Sequence, residues 1–232
     1  MSDWVVARED LLLLVKLMKP LQKDGLLEFR NNEIYCGVVD TANVAVMEIT
    51  VGCTGNKETT FRVDFDALGT ALNASKVTDV AINKLANQLE IVEGNHTLKL
   101  TEISMLTRPR IEIPQLKYTT VFTPEMDHIM EMLTGLAKSL DISVEMVLHG
   151  GNLAINARGT MLEDSVVVPV ECQDEARVHI STDYLEDYMK TWKGKVSKMV
   201  WSMRTNSPLI MEAESGRVKT RFMIAPRIKD ES

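Results

Sequence analysis

Cysteine is scarce in this chain, and the three present, Cys36, Cys53 and Cys172, are scattered without a CxxC pair or a histidine at ligand spacing. That distribution argues against a disulfide-stapled scaffold or a metal site and leaves buried free thiols as the reading. Long apolar runs are also missing. The longest, Leu11 to Val15, is far short of the roughly 20 residues a membrane helix needs. Positive charge is not in excess: 33 acidic against 26 basic residues give −7, which argues against a protein that simply coats nucleic acid by its average charge. The opening residues, Met1 to Val5, carry neither a basic region nor an apolar signal core, so a cytoplasmic location is expected, with no membrane contact.

Catalytic signatures are absent in the same way. His96, His128, His149 and His179 lie far apart and form no HExxH spacing. There is no GxSxG elbow, no GxxxxGK[ST] loop and no GxGxxG after a strand. The adjacent carboxylates Glu9/Asp10, Glu163/Asp164 and Glu186/Asp187 read as solvated positions. Asn95-His96-Thr97 is a glycosylation sequon without a secretory signal to use it. No enzyme activity, cofactor or metal is expected.

What the sequence does contain is a repeat. Its 232 residues accommodate two domains of roughly 115 residues. Val5-Val6-Ala7 reads as a short strand, and Leu11, Leu14, Val15 and Met18 then follow the spacing of one helix face. About 116 residues later, Thr119 to Phe122 is β-prone, Thr123 and Pro124 suit a helix start, and Met126, Ile129, Met130 and Leu133 repeat the spacing. A second pair matches: strand Phe61-Arg62-Val63, cap Asp64 and helix face Ala67, Leu68, Ala71, Leu72. Its counterpart is strand Val178-His179-Ile180, cap Ser181 or Thr182, and helix face Tyr184, Leu185, Tyr188, Met189, Trp192. Self-similarity at half the chain length means two copies of one domain.

The remainder is β. Ile34, Cys36 and Val38 alternate toward a turn at Asp40-Thr41-Ala42-Asn43, which leads into Val44 to Ile49, a hairpin pattern. Met199, Trp201 and Met203 alternate, and in the last strand Val218, Thr220, Phe222 and Ile224 share one face. Residues 104–117, with Pro109 and Pro114, read as the linker. Met223 on the outer face of the last strand, with Ile111 and Ile113 in the linker, supplies apolar material for a peptide-docking groove, although packing under the linker explains the same residues.

Several of these stretches resemble one family. Val39-Asp40-Thr41-Ala42-Asn43-Val44-Ala45 is similar to the D-x-A-N-V-A hairpin of archaeal sliding clamps, the proliferating cell nuclear antigen family. Ile224-Ala225-Pro226-Arg227-Ile228 is similar to the L-A-P-[RK]-[IV] tail of those chains. Ile111 to Pro114 resembles their interdomain connecting loop, Thr182 to Leu185 their last helix, and Ser207 to Glu212 their penultimate strand. The resemblance runs in order along essentially the whole chain.

It implies an α+β architecture of two clamp domains, 1–103 and 118–232, joined by the loop 104–117. Three chains would close head-to-tail, sheets outside and helices lining a central hole through which duplex DNA passes. By the same resemblance Lys16, Lys19, Lys23, Lys76, Lys138, Lys190, Lys193 and Lys195 would face the DNA and contact it without regard to sequence. Basic residues that many relatives carry are missing at Leu12, Leu13, Thr70, Asn73 and from Glu125 to Glu131, so a weak grip is expected.

A client peptide with a glutamine, an aliphatic residue and two aromatics would dock on Val39, Asp40, Val44, Val46, Ile111, Ile113, Pro114, Pro208, Met223, Ala225 and Pro226. Leu98 and Leu100 would meet Val166 and Val168 of a neighbouring copy by strand pairing, with Pro169 tolerated only at the end of that ladder. The implied partners are DNA polymerase, other peptide-bearing replication and repair proteins, and a clamp loader. An accessory clamp, of checkpoint type or carried by a virus or plasmid, is the alternative. A β-rich enzyme or ligand-binding protein is the remote one.

Overall fold

The first helix takes up almost all its apolar residues. In the computed structural model, α1 (Arg8–Met18) follows strand β1 (Trp4–Ala7) and buries Leu11, Leu12, Leu13, Leu14, Val15, Leu17 and Met18, more than the single face that the spacing predicts. The structure describes residues 2–93, 95–103, 111–118, 120–125, 127–130, 143–158, 163–196 and 199–227. These fall into two units. One comprises residues 1–41, 47–112 and 216–220; the other comprises 42–46, 113–215 and 221–232.

Among its described residues, the first unit holds two sets of paired strands and two helices. Strands β2 (Asp24–Arg30), β3 (Glu33–Val39), β4 (Ala45–Gly52) and β6 (Thr59–Asp64) run in the order β6-β2-β3-β4. Strands β5 (Thr54–Gly55), β1, β7 (Asp79–Leu85), β8 (Gln88–Glu93) and β9 (His96–Thr101) run in the order β5-β1-β7-β8-β9. Helix α2 (Phe65–Ala74) begins at Asp64, whose Oδ1 accepts the Ala67 N–H at 2.8 Å, the cap the sequence predicts. Its inward face is Phe65, Leu68, Gly69, Ala71 and Leu72, whereas Ala67 is exposed. Gly69 lets α1 approach: a Cβ there would lie 3.2 Å from Val15 Cγ1.

The second unit repeats this plan. Strands β11 (Ser143–His149), β12 (Asn152–Arg158), β13 (Glu163–Pro169) and β14 (Ala176–Ser181) are ordered β14-β11-β12-β13. Strands β10 (Thr120–Phe122), β15 (Met199–Met203), β16 (Leu209–Ser215) and β17 (Val218–Ile224) are ordered β10-β15-β16-β17. Those are the orders β6-β2-β3-β4 and β1-β7-β8-β9 over again, so the repeat in the sequence is a repeat of topology. Helix α3 (Asp183–Trp192) takes the place of α2, and residues 127–130 are helical where α1 stands in the first unit. Thr182 is the N-cap of α3 by position but makes no side-chain cap bond, its backbone being already helical.

The few aromatic residues are spent on the cores. Trp4 packs on Phe29 at 4.4 Å between ring centroids, Trp201 lies 6.0 Å from Phe122, and Tyr188 contacts Phe222 at 4.7 Å. Trp4, Trp192 and Trp201 are fully buried. Each such ring contributes about 2 kcal/mol or more through removal of apolar area from water. Among the described residues no helix is long and apolar enough to cross a membrane.

Candidate functional site

Most residues expected to receive a peptide belong to the second unit, where bonds from backbone and side-chain donors hold them. The Ala225 N–H donates to the Val44 carbonyl at 2.7 Å, tying the tail to residues 42–46 of the same unit. Arg221, on β17, donates from Nη1 to the Ile113 carbonyl at 3.3 Å and from Nη2 to the Pro114 carbonyl at 3.5 Å, while its Nε lies 3.4 Å from Glu212. Tyr118 donates to the Pro208 carbonyl at 2.7 Å, and burial raises its phenol pKa. Val44, Val46, Pro208, Met223, Ala225 and Pro226 are half-buried and Pro114 is exposed. Ile113 is buried, at 4% exposed.

Within the first unit, Val39 and Ile111 are half-buried and Asp40 is buried. Gln22 donates to the Val39 carbonyl at 2.7 Å, and Tyr35 donates to the Ile111 carbonyl at 2.6 Å. The residues that position this segment, Tyr35, Tyr118 and Arg221, are polar members of strands or linker. Sequence periodicity marks only which face they occupy, so it gave no signal of these bonds.

The lysines expected on the helical side are exposed wherever they are described. Lys16 is the exposed position of α1 between Val15 and Leu17; Lys19 caps the helix and pairs with Asp66 of α2. Lys23 precedes β2, its carbonyl accepting the Phe65 N–H at 2.9 Å, and Lys76 follows α2. In the second unit Lys190 pairs with Glu186 at 2.5 Å, and Lys193 and Lys195 follow α3 in the open. Lys138 lies outside the described residues.

The strands expected to pair between copies both end their sheets among the described residues: β9 closes the five-stranded sheet and β13 the four-stranded one. Leu98, Leu100 and Val166 are half-buried there. Val168 turns into the core of its own sheet, and the exposed valine of β13 is Val167, at 57%. Within its own sheet, Pro169 ends the pairing of β13 with β12, opposite Asn152.

The thiols differ. Cys36 and Cys53 are buried, with burial pushing their pKa values up to about 12 and about 11, whereas Cys172 is only half-buried. No group of three or more His, Cys, Asp or Glu among the described residues could hold a metal ion.

No family model matches the chain. A curated DNA polymerase sliding clamp of Archaeoglobus fulgidus is 23% identical to it over an alignment covering all of both chains. Another, of Nanoarchaeum equitans, is 28% identical over 75% of this chain and 74% of its own length. Among solved structures, the proliferating cellular nuclear antigen of Entamoeba histolytica superposes with a TM-score of 0.84 at 15% identity, covering 98% of this chain and all of its own. The A. fulgidus antigen bound to the C-terminal region of FEN-1 gives 0.83 at 21% identity, with both chains fully covered.

Proposed function

The chain is a member of the DNA sliding-clamp family, and on that premise we propose that it is a processivity clamp and docking platform with no chemistry of its own. Three copies close head-to-tail into a ring around duplex DNA. Each copy contributes two domains, 1–103 and 118–232, joined by 104–117. Topology then does what affinity would otherwise have to do: an encircling ring stays on the duplex while making only loose, sequence-independent phosphate contacts. A DNA polymerase held by its peptide inherits that persistence, and other replication and repair proteins use the same groove. A clamp loader opens the ring.

The observation that carries this reading is the end-to-end correspondence with a curated sliding clamp, every part of both chains aligned, over two units of one topology. Supporting the docking groove, the A. fulgidus antigen is solved with a FEN-1 C-terminal region bound to it. In this chain a peptide would meet Val39, Asp40 and Ile111 in the first unit, and Val44, Val46, Ile113, Pro114, Pro208, Met223, Ala225 and Pro226 in the second.

Light scattering across a concentration series, followed by polymerase extension of primed circular DNA, tests the proposal. The expected result is the mass of three chains and longer products when the protein is loaded. A single-chain mass at every concentration, with extension unchanged, would overturn it.

A further inference from the structure

Two of the lysines on the proposed DNA-facing surface are already engaged. In the first unit the Lys19 ammonium pairs with Asp66, in the first turn of α2. In the second, Lys190 pairs with Glu186, one turn earlier in α3, at 2.5 Å. Both carboxylates have a reason to stay where they are. Each sits in the first turn of its helix, where the dipole favours negative charge, and Glu186 precedes Lys190 in the favourable i, i+4 order. Both pairs are also open to water, with more than half of each lysine side chain exposed, so they are reversible contacts. Lys16, Lys23, Lys193 and Lys195 are exposed and have no acidic partner among the described residues.

We propose that Asp66 and Glu186 are built-in competitors of the DNA phosphates, dividing six of these lysines into an engaged pair, Lys19 and Lys190, and a free set, Lys16, Lys23, Lys193 and Lys195, that carries the contact. The inference rests on the sliding-clamp reading. A phosphate approaching Lys19 or Lys190 must displace a carboxylate and then remain near its negative charge. Such an encounter releases little net counterion, so it adds little affinity. A lysine without an acidic neighbour has no such competitor. The arrangement keeps the contact loose, as sliding requires, while leaving every lysine in place.

The test uses the full chain and a short fluorescent duplex, with anisotropy read across a salt series. Asp66→Asn combined with Glu186→Gln is expected to tighten binding at 0.1 M salt on the order of tenfold and to steepen the log–log salt slope by about 0.9 for each lysine released. Adding Lys19→Ala and Lys190→Ala should return both quantities to their starting values. Glu58→Gln, an exposed acid in a loop, controls for net charge and should change neither.

Tightening that persists without Lys19 and Lys190 would overturn the proposal, since the carboxylates would then act by long-range charge alone. No tightening, while Lys16→Ala with Lys193→Ala weakens binding, would overturn it and leave the DNA-facing reading standing. If neither set moves binding, the DNA-facing assignment of these helices fails together with the proposal.

Discussion

The Tyr35 hydroxyl lies 2.6 Å from the Ile111 carbonyl and 3.1 Å from Glu48 Oε1, and it has a single proton to give. The shorter contact takes it, tying residue 111 to β3. Gly37 makes the approach possible, since a Cβ there would fall 2.8 Å from the same carbonyl. Tyr35→Phe removes the donor and strands that carbonyl. The expected loss is about 1 kcal/mol in urea unfolding, with the slope unchanged.

Arg221 does comparable work in the second unit, holding two successive carbonyls of the linker, Ile113 and Pro114. Arg221→Met keeps the volume of the stem and loses both bonds. In calorimetry with a peptide of one glutamine, one aliphatic and two aromatic residues, affinity should fall about fivefold, the equivalent of about 1 kcal/mol. Unchanged affinity would mean that the proposed peptide site does not depend on the placement of residues 113 and 114.

How far the sequence speaks depends on whether periodicity carries the information. Val218, Thr220, Phe222 and Ile224 are all buried, because in a strand every second side chain must face the same way. Asp64 was readable as a cap because its short carboxylate reaches the third residue on. Periodicity failed where both sides of an element are covered: Leu12 and Leu13 are buried along with the predicted face of α1, and nothing in their spacing says so. At the candidate site, the alternation of the last strand marks Met223 as outward-facing, and the resemblance to a family tail marks Pro226. The burial of Ile113 and the bonds from Tyr35 and Arg221 were not legible. They join residues 76 and 108 positions apart, and a single sequence holds no record of such pairings.

Thiol chemistry should separate the cysteines. With Cys36 raised to about 12 and Cys53 to about 11 by burial, neither is a thiolate at pH 8, and neither is open to a reagent. The native chain should therefore react at Cys172 alone, one equivalent per chain, rising to three in denaturant. Mass spectrometry of labelled peptides reads the site directly.

Asp10 gives a pH dependence of unusual sign for a carboxylate. Burial, reinforced by Asp79 and Glu9 and opposed by Arg217, raises its pKa in the folded chain above the unfolded value. The folded state thus holds this proton more tightly, so ionisation of Asp10 weakens folding as pH rises through the raised value. Asp10→Asn should stabilise the chain at pH 7. The gain should shrink as pH falls through the carboxylate range and vanish once Asp10 is protonated in both states, a trend that melting curves from pH 7 to pH 3 would follow.

The free edges of β9 and β13 bear on assembly. Each strand ends its sheet among the described residues, leaving one row of backbone N–H and C=O groups without a neighbouring strand. Such an edge recruits another strand unless charge or proline blunts it. On β9, Lys99 is drawn toward Glu90 at 2.9 Å, while Leu98 and Leu100 remain half-exposed on the other face. A neighbour's strand would cover both leucines, so replacing both with lysine places two ammonium groups where that contact forms and blunts the edge. Leu98→Lys with Leu100→Lys should therefore reduce the mass seen in light scattering to that of one chain at micromolar concentration, with the far-ultraviolet circular dichroism unchanged. A mass still equal to three chains would show that assembly does not depend on this edge.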